Sequence, residues 1–428
     1  MNHGLTVGIV GAGSSYTPEL IDGFLNLSQE YLPVDVFRLY DINAERLAIM
    51  VGLAERMIHR NGRELRVESF SQLEHALDGV DFVITQIRVG GMPARYLDES
   101  IPLKYGILGQ ETTGPGGMFK ALRTIPAMLD IARTVARVAP RAFILNYTNP
   151  SGIITEAVTR HTGARMLGLC SGIPGMMVEL KKQFAADYPD LHCYCVGLNH
   201  LGFIHRIMSQ GKDVTVELLQ RMVEDKRRNP EDSEGIAWQE LCLEIGAIPI
   251  SYLGYYFHRA HLVQKLQAQE LTRAQQIMDI EKAVFAEAAA PGADSKPEAL
   301  SKRGGGGYSA ITFAVMAAIY HDTNEELAIS VPNRGTVEGF YPEEVAEIVC
   351  RVGREGATPM PVGPIPLAYR GLIQAVKAYE VLTVEAAITK DRRLLKQALL
   401  NHPLVGDLDV AELLLDEMLA AHGLDFHG

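Results

Sequence analysis

The stretch Leu5-Thr-Val-Gly-Ile-Val10-Gly11-Ala-Gly13-Ser14-Ser15-Tyr16 is a continuous apolar strand that breaks on a glycine turn, and the run from Pro18 to Leu27 behind it has the pattern of a helix. Strand, glycine turn and helix in that order form the phosphate-binding start of a dinucleotide fold. Gly11 and Gly13 let the backbone turn tightly and approach a pyrophosphate, while the N–H groups around Ser14 and Ser15 and the positive end of the helix face its charge. Tyr16 stands where the full fingerprint has its third glycine, so the turn alone is an incomplete signature.

The next strand, Val36 to Tyr40, ends on Asp41. A carboxylate there can take the ribose hydroxyls of NAD and would repel the additional phosphate of NADP. Its alternative role is to cap the helix starting near Ala44, a task that Asn43 can also perform. Further strands are expected at Arg66 to Ser69, Phe82 to Gln86, Ala142 to Leu145 and Met166 to Leu169, with helical stretches between them. Alternation of this kind predicts an α/β fold with a Rossmann-like, doubly wound parallel sheet, whose ligands lie beyond the carboxyl ends of the strands. Polar clusters fall at those ends: Arg88 and Arg95, then Asn146-Tyr-Thr-Asn149-Pro-Ser-Gly, then Cys170. Taken singly, surface arginines, a turn and a buried thiol explain them equally well.

The chain has 428 residues and is 47% hydrophobic, enough for two domains with sizeable cores. Met1 to Thr6 runs straight into the first strand without a basic segment or a long apolar stretch, which predicts no signal peptide, no membrane span and a cytoplasmic protein. Five cysteines, Cys170, Cys193, Cys195, Cys242 and Cys350, lack C-x-x-C spacing and argue against disulfides or a structural zinc cluster. A net charge of −12 disfavours nucleic acid and anionic membrane as partners. It still allows a small anionic substrate gripped by a few local arginines. Ala288 to Gly307, with two prolines and a run of glycines, is expected to be a long loop within a domain.

Five ordered strings carry a family resemblance: Gly-Ala-Gly-Ser-Ser-Tyr-Thr-Pro-Glu (11 to 19), Gly-Gln-Glu-Thr-Thr-Gly-Pro-Gly-Gly (109 to 117), Thr-Asn-Pro-Ser-Gly (148 to 152), Gly-Leu-Asn-His (197 to 200) and Lys-Arg-Gly-Gly (302 to 305). Together they resemble glycoside hydrolase family 4, over residues 5 to about 420. That family is an exception to the two-carboxylate rule for glycosidases. The resemblance implies that bound NAD takes hydride from carbon 3 of a sugar and so acidifies the proton on carbon 2. A base removes that proton, the oxygen on carbon 1 leaves, water adds, and hydride returns. It further implies a divalent metal, usually manganese, held by Cys170 and His200 and acting as a Lewis acid on the carbon 2 and carbon 3 oxygens.

By the same resemblance Tyr252, in Ile250-Ser-Tyr-Leu-Gly-Tyr-Tyr256, is the base, and a nearby cation would have to lower its pKa from about 10. Packing of Tyr252, Tyr255 and Tyr256 as a core stripe is the bland alternative. Arg95 matches a contact to the 6-phosphate, with Arg273 and Arg303 as further candidates. Asn149 is expected near sugar and phosphate, and Glu111 near the sugar or metal. Residues 1–169 would then form the NAD-binding domain and residues 170–428 a substrate- and metal-binding α+β domain, an architecture similar to that of lactate and malate dehydrogenases. Homodimers or homotetramers are typical of the family.

Ser171 departs from the family pattern, which places Asn after the metal cysteine in phospho-β-glucosidases and Asp in phospho-α-glucosidases. A serine hydroxyl is a poor acid, and the Gly-Leu-Asn-His-Leu and Leu-Ser-Lys-Arg-Gly-Gly strings are closer to the β branch. The expected substrate is therefore a 6-phospho-β-glycoside, either a phosphorylated disaccharide or an aryl 6-phospho-glycoside, with the α-glycoside as the alternative. A 2-hydroxy-acid dehydrogenase or an NAD-sensing regulator would have no use for Cys170 with His200. Beyond Cys170, strands are expected at His192 to Gly197 and His205 to Ser209, and helices at Ala274 to Ala288, Leu367 to Thr389 and Val410 to Ala421.

Overall fold

Strands β1 (Leu5–Val10), β2 (Val34–Tyr40), β3 (Arg66–Phe70), β4 (Phe82–Thr85), β5 (Phe143–Asn146) and β6 (Arg165–Gly168) pair in parallel in the order β3-β2-β1-β4-β5-β6. The strand order reverses between β1 and β4, which opens a crevice beyond their carboxyl ends. The computed structural model describes residues 4–228, 231–304 and 306–428. Met1 to His3 of the expected start, and Gly305 of both the Lys-Arg-Gly-Gly string and the long loop, lie outside the described residues.

Central strands β4 and β5 are buried at every position, as parallel strands covered on both faces must be. Helix Gly114–Val138 covers one face with a run of buried residues from Gly114 to Leu122 and then at helical spacing to Val135. It starts where a helix should, with Thr113 extended before it and a proline in its first turn. Helix Thr17–Leu25 packs against β2 and helix Tyr308–His321 through Phe24, whose ring lies 5.0 Å from Phe37 and 5.5 Å from Phe313.

Strands β7 (His192–Leu198), β8 (Leu201–Ser209), β9 (Lys212–Asp213) and β10 (Ile248–Pro249) make a small antiparallel sheet. The sequence pattern anticipates β7 and part of β8, and also the helices Arg273–Ala289, Leu367–Thr389 and Leu408–His422. The expected 288–307 loop contains a short 3-10 turn, Glu298–Arg303. Among the described residues, no helix is long and apolar enough to cross a membrane.

One feature of the second half runs against a clean division at residue 170. Strands β11 (Glu325–Pro332), β13 (Val345–Gly353) and β14 (Gly356–Pro359) extend the first sheet, antiparallel, beyond β6; β12 (Val337–Glu338) and β15 (Gly363–Pro364) pair separately. The sheet thus has nine strands drawn from both halves. Without β11 and β13, β6 would present an open edge of unpaired backbone groups.

Candidate active site

A cavity of about 940 Å³ opens at the carboxyl ends of β1, β2 and β4. It is lined by Gly11, Gly13, Ser14 and Asp41 around the glycine turn, by Arg95, Glu111, Asn149, His200 and Tyr252, and by Arg273 and Arg303.

The glycines of the turn are required by their surroundings. Gly11 has a φ of +87°, and a β-carbon on it would stand 2.9 Å from the Gln86 backbone. A β-carbon on Gly13 would stand 2.9 Å from the Asp41 carboxylate, so only glycine lets the turn and the end of β2 come together. The Asp41 carboxylate accepts from Gly13 N and Asn43 N, each at 2.8 Å. Asn43, not Asp41, caps the following helix by accepting from Arg46 N at 3.0 Å. Lone pairs on Asp41 therefore remain for ribose hydroxyls. Ser14 reaches the cavity, whereas Ser15 is fully buried and donates its hydroxyl to Glu281 at 3.0 Å.

Tyr16, in place of the third glycine, spans the two halves of the chain. Its hydroxyl donates to Gly304 O at 2.5 Å, its ring lies 5.2 Å from that of Tyr308, and the Arg303 guanidinium sits 4.0 Å above it. Arg303 also pairs with Glu281 at 3.1 Å, yet its Nε and Nη1 are buried without partners among the described residues. Arg273, at the start of helix Arg273–Ala289, donates to the Arg303 carbonyl at 2.9 Å and so holds that turn in place.

The second group of residues is dense with charge. Glu111 is bound by Arg88, by Lys120 Nζ at 2.6 Å and by Arg95 Nη1 at 3.1 Å, and Arg95 also pairs with Glu99 at 2.7 Å. Burial would raise the Glu111 carboxyl, but the Arg88, Lys120 and Arg95 charges outweigh it and hold the group well below the usual carboxylate range. Burial, followed by the neighbouring Arg88 charge, brings Lys120 down to about 7. Lys120 is not singled out by the sequence, and Arg88 enters there only as one of the polar groups beyond β4. The available signal for Lys120 was a lone lysine inside an otherwise apolar or small-residue helical run, Gly114 to Leu122.

His200 forms the tip of the β7–β8 hairpin with a φ of +65°, a left-handed conformation that a non-glycine residue adopts at some cost. Its Nδ1 lies 3.0 Å from Thr112 Oγ1, and burial, then the Lys120 charge, lowers its pKa to about 4. The imidazole is therefore neutral at pH 7, with Nε2 left without a hydrogen-bond partner among the described residues. Its ring stacks on Tyr252 at 4.2 Å between centroids and 10° between planes. Tyr252 in turn meets Tyr255 edge-on at 5.5 Å. Burial first, then Tyr255 and Cys170, raise the Tyr252 phenol above its ordinary value. Tyr256 is the member of this trio that turns away from the cavity, towards His402 and Tyr379.

Cys170, just after β6, lies behind the cavity wall. Its Sγ accepts from Gly172 N at 3.4 Å, and burial, then Glu347, push the thiol up to about 12. Asn199, adjacent in sequence to His200, has its amide nitrogen buried without a hydrogen-bond partner among the described residues. A thiolate and a neutral imidazole with a free nitrogen are donors suited to a divalent metal with open coordination positions. Asn149 reaches the cavity from the turn after β5, which Asn146 braces by accepting from Thr85 Oγ1 at 2.9 Å and Thr148 N at 3.0 Å.

Comparison with known proteins agrees with this geometry. Residues 6–186 match the model of the family 4 glycosyl hydrolases and residues 195–405 that of their C-terminal domain. The chain is 37% identical over 433 residues to the 6-phospho-beta-glucosidase of Escherichia coli, covering 99% of this chain and 96% of that protein. It is 31% identical over 433 residues to 6-phospho-alpha-glucosidase 1 of Lacticaseibacillus paracasei, covering 97% and 96%. The 6-phospho-beta glucosidase of Thermotoga maritima, solved with manganese, NAD+ and glucose-6-phosphate, superposes with a TM-score of 0.89 at 33% identity over 99% of this chain and 100% of that one. Lactate dehydrogenase of Cryptosporidium parvum, 13% identical with a TM-score of 0.53 over 90% of this chain and 98% of its own, shares the fold. Matched by both family models and by full-length relatives above 30% identity, the chain belongs to glycoside hydrolase family 4.

Proposed function

We propose that this enzyme hydrolyses 6-phospho-β-glycosides by transient oxidation of the sugar at carbon 3. The observation that carries the proposal is the shared cavity: a glycine turn with an acidic strand end at one side, and His200 stacked on Tyr252 at the other. Membership of family 4 and the greater similarity to relatives named for β-glycosides than to those named for α-glycosides support it.

The glycine turn Gly11 to Ser14 would let the pyrophosphate of NAD come close to the backbone at the start of the following helix, and Asp41 would take the ribose. Bound NAD supplies reversible hydride acceptance, and a divalent metal, manganese by analogy, supplies Lewis acidity. His200 Nε2 and the Cys170 thiolate would hold that metal. Tyr252 removes the proton from carbon 2. Because burial disfavours its phenolate, Tyr252 is a competent base only beside a cation, which ties proton abstraction to metal occupancy. Arg95, with Arg273 and Arg303, offers guanidinium forks to the 6-phosphate. Asn149 and Glu111 position the ring.

Purified protein supplied with NAD, Mn²⁺ and a thiol reductant should release chromophore from an aryl 6-phospho-β-glucoside and not from its unphosphorylated analogue. Equal turnover of the two would remove the phosphate-binding role of the arginines. Preference for the 6-phospho-α-glucoside would reverse the assignment of anomer.

A further inference from the structure

We propose that Glu281 is a positioning residue that ties the dinucleotide turn to Arg303, so that a ligand seated on the turn strengthens binding of the sugar phosphate. The inference rests on the reading of Arg303 as a contact to the 6-phosphate and adds a residue that neither the sequence pattern nor the family match assigns.

Glu281 belongs to helix Arg273–Ala289 and lines the cavity. Its carboxylate takes three donors from separate segments. Oε1 accepts from Ser15 Oγ at 3.0 Å and lies 3.1 Å from Arg303 Nη2, while Oε2 accepts from Arg46 Nη2 at 3.3 Å. Arg46 also donates from Nε to Gly13 O at 3.0 Å, and its guanidinium lies 4.2 Å from the ring of Phe285, one turn further along the same helix as Glu281. One carboxylate from the second half of the chain thus holds the glycine turn twice, directly at Ser15 and through Arg46 at Gly13.

Arg303 is held from the same helix. Arg273 fixes its carbonyl, Glu281 takes its side chain, and the Tyr16 ring lies 4.0 Å from its guanidinium. Tyr16 follows Ser15 in sequence, so two consecutive turn residues reach Arg303, one through Glu281 and one directly. The Arg303 side chain is 5% exposed and lines the cavity, and its Nε and Nη1 have no partner among the described residues. A buried guanidinium with two idle nitrogens is costly, and it suits an anion that arrives from the cavity.

Sharing of Oε1 links the two sites. A dinucleotide on the glycine turn restrains Ser15, and with it the carboxylate and the Arg303 guanidinium. Less conformational freedom then remains for the sugar phosphate to remove, which is positive cooperativity without a change of fold. Linkage makes the effect reciprocal, so the sugar phosphate must tighten the dinucleotide by the same factor.

Titration calorimetry of the full-length protein with glucose 6-phosphate, at a fixed free Mn²⁺ concentration and with or without saturating ADP-ribose, reads this coupling. ADP-ribose keeps the pyrophosphate but lacks the nicotinamide, whose direct contact with the sugar would otherwise contribute. In the wild type it should tighten glucose 6-phosphate by about 5-fold or more. Glu281→Gln should keep the wild-type circular dichroism spectrum, still bind each ligand alone and lower the factor to about one. Ser15→Ala, which removes a single link, should lose part of the factor, and Glu281→Asp should recover part of it. No tightening in the wild type, or full tightening retained in Glu281→Gln, would overturn the coupling through Glu281. Arg303→Ala should weaken glucose 6-phosphate; unchanged affinity in that variant would instead overturn the reading of Arg303 as a phosphate contact.

Discussion

At the dinucleotide end of the cavity, Gly11, Gly13, Ser14 and Asp41 follow the ends of two adjacent strands and form a close-packed glycine turn against one carboxylate. At the sugar end, Glu111, Cys170, His200 and Tyr252 come from four separate segments and bring together arginines, a lysine near neutral pKa, a neutral imidazole and a phenol that resists ionisation. The first end is a preformed cradle for a ligand that the fold class commonly binds. The second is dense with opposed charges, and on the proposed function it is completed by a cation and an anionic substrate. Local turn chemistry is enough for binding the cofactor, whereas the reaction needs long-range assembly of mutually opposed charges.

The largest expected effect breaks the sugar end and leaves the other intact. His200→Ala should reduce turnover by on the order of a thousandfold, the scale seen when a principal group stabilising transition-state charge is removed. NAD affinity, followed by quenching of intrinsic fluorescence, should change little. A comparable loss of NAD affinity would show that the two ends are not separable.

A smaller effect sharpens the contrast through pH. Burial lowers His402, behind Tyr256, from about 6.5 to about 3, so it is neutral in the folded protein and titrates normally when unfolded. Between those values the unfolded chain binds more protons, and stability must fall as pH drops from about 6.5 towards 3. The contribution approaches 1.4 kcal/mol per pH unit for one such histidine. Urea unfolding of metal-free protein at pH 7 and pH 5 should show this loss, and His402→Gln should flatten the slope; an unchanged slope would place His402 in a solvated environment.

The smallest effect tests the bridge between the ends. Tyr16→Phe removes the hydrogen bond to Gly304 and keeps the ring under Arg303. The expected cost is about 1 kcal/mol in unfolding free energy. A markedly larger loss, accompanied by loss of NAD binding, would mean that the hydroxyl shapes the glycine turn itself.

The same contrast explains what could be foreseen from the sequence. Continuous apolar strands, a glycine turn and Asp41 are local signals, and β1 to β6 with their helices follow from them. Strands β11, β13 and β14 were not foreseen as parts of this sheet, because they join it through β11, whose partner β6 lies more than a hundred residues earlier, and pairing across such a span leaves no local mark. Cys170, His200 and Tyr252 carried no decisive signal by spacing; the family resemblance singled them out, and the fold then brought His200 against Tyr252. Lys120 and Glu281 escaped notice since charged residues are ordinarily expected at the surface. Both line the cavity.

Hydrolysis of a 6-phospho-β-glucoside deuterated at carbon 2, in the presence of NAD and Mn²⁺, tests the central claim most directly. Proton abstraction by Tyr252 predicts slowed turnover, glucose 6-phosphate that has exchanged its label with water, and no net accumulation of NADH. Full retention of deuterium in the released sugar phosphate would contradict oxidation and elimination as the route of cleavage.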